Sequence, residues 1–190
     1  MASVVAICNM ALLYIGQDDI QSLEEGSKAA RLCSMLYAPV RDQLLEEHHW
    51  NFATRHASLA LIGPADGNTA AFGWDYAYQL PPDCLRVRRL AGDAPYEVRE
   101  KGVLLTNVAD AQAVLTVRVV DAERFPALFI EVLARKLSAE LAVPLTASGK
   151  LEQSMMTKYL NAFERARLAD ASEGEQEPTD DNAWLRARLA

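Results

Sequence analysis

Trp74-Asp75-Tyr76-Ala77-Tyr78-Gln79-Leu80-Pro81-Pro82-Asp83-Cys84-Leu85-Arg86-Val87-Arg88-Arg89-Leu90 lies between two strongly helical regions, and its reading decides the fold. Tyr76, Tyr78 and Leu80 alternate with Asp75, Ala77 and Gln79, the two-residue period of a strand with one packed face. Pro81 and Pro82 remove two backbone donors in a row, so the strand stops and the chain turns at Asp83. Leu85 and Val87 then resume the alternation against Arg86 and Arg88. Strand, rigid corner and strand predict a sheet inserted between helices.

Downstream, Ala91 to Pro95 reads as a turn, and Tyr96 to Glu100 with Val103 to Thr106 as a hairpin over Lys101-Gly102. Ala113 to Val120 is the most apolar strand, with Leu115, Val117 and Val119 assigned to one face. Arg86, Arg88, Arg89, Arg99 and Lys101 concentrate positive charge here, although the chain carries a net charge of -7. Two readings of that charge stand side by side: a solvated strand face partly paired to Glu97 and Glu100, and a docking surface for an acidic partner or a DNA-facing edge, with Arg86 and Arg88 as the partner-binding candidates.

Four helices are predicted around the sheet. Residues 3–15 are apolar almost all round, capped by Ser3 and stopped by Gly16, so several sides need cover from a core or a second subunit. Ser27 caps a helix to His49, with Ala30, Cys33, Tyr37, Val40 and Leu44 on one face and a kink expected at Pro39. Pro126 opens a helix to Val143 that Pro144 is expected to end, with Phe129, Val132, Leu133, Leu137 and Leu141 inward. Ser148 caps a last helix over 150–170, with Met155, Tyr159, Ala162, Phe163 and Ala166 inward. Trp50 and Phe52 read as anchors at the start of an extended run reaching Ile62, and residues 63–73 as a loop.

The expected fold is therefore α+β but mainly α: an antiparallel bundle of about four long helices, an inserted antiparallel sheet over about 75–120, and a C-terminal tail. One domain spans 1–171. From Ser172 to Asp181 the chain is acidic and too polar to order itself. Beyond it, Trp184, Leu185 and Leu189, with Arg186 and Arg188 between them, suit a short docking helix that orders on a partner.

The composition bounds the function. At 190 residues and 51% hydrophobic, the chain can bury roughly 70% of its unfolded surface. Its acidity argues against general gripping of nucleic acid. Cys8, Cys33 and Cys84 are sparse and unpaired in spacing, which fits buried thiols rather than a disulfide framework or a zinc site. Adjacent His48 and His49 lack the four-residue helical spacing of metal ligands, so no metal and no cofactor is expected. Neither a secretory signal nor a membrane span is expected. No nucleophile elbow, P-loop or dinucleotide fingerprint occurs, and no catalytic residue is assigned.

Five features in order resemble the tail tubular protein A family, the head-to-tail adaptors of short-tailed phages. They are Asn9-Met10-Ala11-Leu12-Leu13-Tyr14-Ile15-Gly16, Ser27-Lys28-Ala29-Ala30-Arg31-Leu32-Cys33, Trp50-Asn51-Phe52-Ala53, the segment from Tyr78 to Val87, and the two closing helices. The likeness covers about residues 4–170. It implies a structural virion protein forming a ring, typically a dodecamer, beneath the portal protein. Such a ring extends the DNA channel without binding DNA specifically and presents a platform for the tail nozzle protein. Two other classes remain: a tail-associated cell-wall hydrolase, for which Glu46 and Glu47 are the sole candidates, and a helical scaffold module unrelated to phage.

Overall fold

The computed structural model describes residues 2–64, 73–99 and 102–173. Its elements are α1 (Val4–Tyr14), α2 (Lys28–Glu47), β1 (Thr54–Ser58), β2 (Ala60–Pro64), β3 (Tyr76–Gln79), β4 (Cys84–Leu90), β5 (Tyr96–Arg99), β6 (Val103–Thr106), β7 (Gln112–Val117), α3 (Ala127–Thr146) and α4 (Gly149–Ser172). The predicted tail helix with Trp184, Leu185, Arg186, Arg188 and Leu189 lies outside the described residues, as do residues 65–72 of the predicted loop.

The expectation of a helix bundle with a modest insert is overturned. Among the described residues, seven strands form two antiparallel sheets, one of order β1-β7-β4 and one of order β2-β3-β6-β5. These sheets enclose a hydrophobic core of their own, built from Leu59, Tyr78, Leu80, Val87, Leu90, Leu104, Leu115 and Val117. The extended run after Trp50 explains the difference. It supplies a strand to each sheet, stepping from one to the other at buried Leu59, whose amide donates to Ala111 O at 2.9 Å. β1 pairs with β7, more than fifty residues on by register, from Thr54↔Thr116 to Ser58↔Gln112. Local alternation reveals a strand but not a partner so distant in the chain.

The layers are helices, the three-stranded sheet and the four-stranded sheet. Central β7 is buried on both faces. Ala113, Leu115 and Val117 face the second sheet, while Val114 and Thr116 occupy the opposite face, towards α2. Val119, placed on the strand's face by its spacing, instead enters the helical core because β7 ends at Val117.

α1 packs with α3 and α2, burying Ile7, Cys8, Ala11 and Leu12. Its end is a left-handed glycine turn: Gly16 has φ 70°, and the Gln17 amide reaches Leu12 O at 3.0 Å. Asn9 then straps the connector, donating from Nδ2 to Ile20 O and accepting from Ile20 N at 2.9 Å each. α3 does not stop at Pro144. It continues to Thr146, Pro144 forgoing one helical hydrogen bond to the preceding turn, and ends with Ala147 at φ 54°. Among the described residues no helix is long and apolar enough to cross a membrane.

Candidate interaction surface

The polar residues of the middle of the chain converge where the C-terminus of α2 meets the first sheet. α2 leaves its last carbonyls without helical partners. Arg88 takes them: its Nη2 donates to His48 O at 2.6 Å, Glu46 O at 3.2 Å and Leu45 O at 3.5 Å, while its Nε donates to Thr116 Oγ1 at 2.6 Å. Arg88 can turn that way because β4 is bulged. Its pairing with β7 skips a residue between Val87 and Arg89 and another between Cys84 and Arg86. The simple alternation expected for β4 is thereby broken, and a bulge re-aims the residue it releases. Arg86, in contrast, is exposed, and its side-chain hydrogen bond to Glu46 O is 3.5 Å long. The two predicted partner-binding arginines thus differ: Arg88 holds the fold together, and Arg86 stays available at the surface.

Trp50 forms the centre of the junction. It is 2% exposed, its Nε1 donates to Leu44 O at 2.9 Å, and the rings of His48 and Phe129 meet it edge-on at 4.8 and 5.1 Å. Beside it, buried Asp170 on α4 accepts from the Asn51 amide at 3.1 Å and from His48 Nε2 at 3.2 Å. Asn51 Nδ2 donates back to Asp170 O at 2.6 Å. Burial, helped by the nearby Arg167 and Arg88 charges, holds the His48 imidazole below its usual pKa despite Asp170. The ring is therefore kept neutral.

A second polar knot ties α2, α3 and α4. Glu47 accepts from the Lys136 ammonium with one carboxylate oxygen and from the Tyr159 hydroxyl with the other. Burial first, and then the bond to Glu47, raise the Tyr159 phenol far above its ordinary range. Glu47 is thus engaged on both oxygens, whereas Glu46 is exposed. The two carboxylates named as hydrolase candidates do not converge on a common cleft. Among the described residues, no group of histidines, cysteines and carboxylates is arranged to hold a metal ion.

The Pro-Pro-Asp corner is a third clamp. Arg55 on β1 grips Asp83 in two parallel bonds of 2.8 and 2.7 Å, which hold that carboxyl below its ordinary pKa. Asp83 O accepts from Arg118 N at 2.7 Å, just past β7. The corner joins both edges of the three-stranded sheet to its centre.

Sequence reasoning did not single out Lys136, Asp170 or Arg55. For the first two a signal existed. Asp170 continues the inward series Met155, Tyr159, Ala162 and Ala166 at helical spacing, and Lys136 interrupts the apolar run from Val132 to Leu137. A charge on a buried stripe calls for a partner elsewhere. Nothing local marks Arg55, whose partner lies across the sheet.

Away from these knots, large apolar side chains stand in solvent. They include Leu13 on α1, Leu160 and Leu168 on α4, and Leu61, Ile62 and Val98 on the edges of the four-stranded sheet. No protein-family model matches the sequence, and no curated protein matches it.

Proposed function

We propose that the chain is a structural protein of a short-tailed phage virion, a head-to-tail adaptor that assembles as a ring, a dodecamer, beneath the portal protein. The ring extends the DNA channel and gives the tail nozzle protein its attachment platform. Its action is shape, symmetry and interface rather than catalysis. The protein is made in the host cytoplasm and ends at the head-tail junction.

One observation carries most of this reading beside the ordered sequence features. The polar groups best placed for chemistry, Arg88, Glu47, Asp170 and His48, are engaged in holding the layers together, while apolar side chains such as Leu13, Leu61 and Leu168 are left outward. Charges locked inside and apolar groups outside suit a part made to be assembled. The net charge of -7 suits a DNA conduit to which phosphates do not adhere. Head-to-tail contacts between identical copies close into a ring when the rotation per copy divides a full turn.

Electron microscopy of the purified protein mixed with the portal protein tests the reading. Rings seated on the portal are the expected result, and protein that stays monomeric with the portal unoccupied overturns it. Removing Asn182–Ala190 should weaken portal attachment while leaving the thermal transition unchanged. Normal attachment by the shortened chain would remove the tail from the interface.

A further inference from the structure

Four residues form one row across the four-stranded sheet. Leu61 on β2 pairs with Tyr78 on β3, Tyr78 with Leu104 on β6, and Leu104 with Val98 on β5. Paired residues in an antiparallel sheet share a face, so all four point towards the inter-sheet core. The two central ones are sealed, Tyr78 at 1% and Leu104 at 0% exposure, whereas the two ends are open, Leu61 at 56% and Val98 at 48%. Both ends of the row are thus left without cover in the single chain.

Both ends also lie on sheet edges. Among the described residues, β2 and β5 have a ladder partner on one side only. Every pairing from β2 through β3 and β6 to β5 is antiparallel, so β2 and β5 run in opposite directions. Laid side by side, the β2 edge of one copy and the β5 edge of the next continue the same antiparallel pattern. Long apolar edges are a liability that a protein either blunts or covers. Here the blunting is partial: β2 ends in Pro64 and Glu97 and Arg99 flank Val98 on β5, yet Leu61, Ile62 and Val98 remain exposed.

We infer that the four-stranded sheet is continued from copy to copy, β2 of one subunit pairing with β5 of its neighbour and Leu61 standing against the neighbour's Val98. This rests on the ring adaptor reading and specifies its subunit interface. The pairing joins unlike edges, which is the head-to-tail contact a ring requires, and it extends the apolar row through the boundary. The irregular pairing between Leu61 and Gly63 shortens the usable edge. A contact of a few residues buries far less than the roughly 1,200 Å² of a stable interface. It therefore supplies one necessary part of the subunit contact, the remainder coming from other surfaces and the portal.

Cross-linking with a short bis-maleimide on the portal-bound protein tests this. Buried Cys8 and Cys33 are retained and half-buried Cys84 is replaced by Ala. In that background Leu61→Cys combined with Val98→Cys should give a ladder of covalent oligomers, and each single change should give monomers alone. Rings that assemble without a ladder overturn the inference and leave the adaptor reading standing. Ladders or dimers from one single variant mean that like edges meet, which also overturns it. Failure of the unmodified protein to form rings with the portal overturns both. As an independent arm, Val98→Lys should lower ring yield about tenfold, since an edge lysine blocks strand addition. The monomer's melting temperature should stay unchanged, and normal ring yield would sink the inference.

Discussion

The Trp50 junction and the outer sheet treat their apolar residues differently. Around Trp50, each apolar ring is closed in by others: Phe52, Phe125, Phe129 and Phe163 form a chain of edge-on and tilted contacts, and Asp170, Glu47 and Arg88 lock the surrounding backbone. In the outer sheet, the row from Leu61 to Val98 is sealed at its centre and open at both ends. The Trp50 junction is complete within one chain, although elsewhere on the helices Leu13, Leu160 and Leu168 stay exposed. The outer sheet leaves both ends of its row uncovered in the single chain, the ends that the proposed sheet continuation would cover.

The sharpest way to break this comparison is Trp50→Ala. Loss of a fully buried indole should cost about 3–5 kcal/mol, seen as a lower urea midpoint. A loss below about 1 kcal/mol would show that the junction is not where the fold is held. Next comes Glu47→Ala, which strands the Lys136 ammonium, 5% exposed in its side chain. About 3 kcal/mol should be lost, and Lys136→Met in the same chain should recover most of it by double-mutant cycle.

The two arginines of β4 should then separate. Arg88→Ala frees the last carbonyls of α2 and should lower stability by about 1–3 kcal/mol. Arg86→Glu should leave stability within about 0.5 kcal/mol of the parent; equal losses would mean that both serve the fold. A change in portal-bound ring yield on Arg86→Glu alone would place it at an interface.

A gentler effect should come from pH. His48 is held below its ordinary pKa of 6.5, mainly by burial, so the unfolded chain binds its proton more readily than the folded one. Stability should be fully present above 6.5 and decline as pH falls from there through the lowered folded value. His49, shifted the same way, adds to the slope. Asp83 acts elsewhere, because its contribution is present above 3.8 and is lost only as pH drops through its own lowered value. Denaturation midpoints between about pH 7 and pH 5 should therefore slope downward, less steeply in His48→Gln. An unchanged slope would move the effect away from the junction.

The smallest folding effect should come from Leu61→Ser. The residue is more than half exposed, so the loss should be within about 0.5 kcal/mol. A larger loss would mean that the open end of the row already contributes to the single chain's core.

Much of the helical layer was legible in the residues themselves. Ser3, Ser27 and Ser148, named as caps, each accept the amide three residues on, and the inward series of α2, α3 and α4 match the buried faces. These are matters of spacing within one element, which local chemistry controls. The strands of the Tyr76 to Leu90 segment were legible for the same reason. Their number, pairing and layering were not, because β1 finds β7 and Arg55 finds Asp83 across long stretches of chain. Bulges escaped notice as well, and with them the commitment of Arg88 to the helix end.

By itself, then, the sequence determined where elements begin and end, which faces are apolar, and that the Pro-Pro-Asp corner must turn. Tertiary structure alone decided that the strands form two sheets rather than one insert, which charges are locked into junctions, and which apolar residues stay uncovered. The physical reason is that capping and periodicity act over a few residues. Burial, ion pairing and sheet edges depend on what the rest of the chain brings alongside.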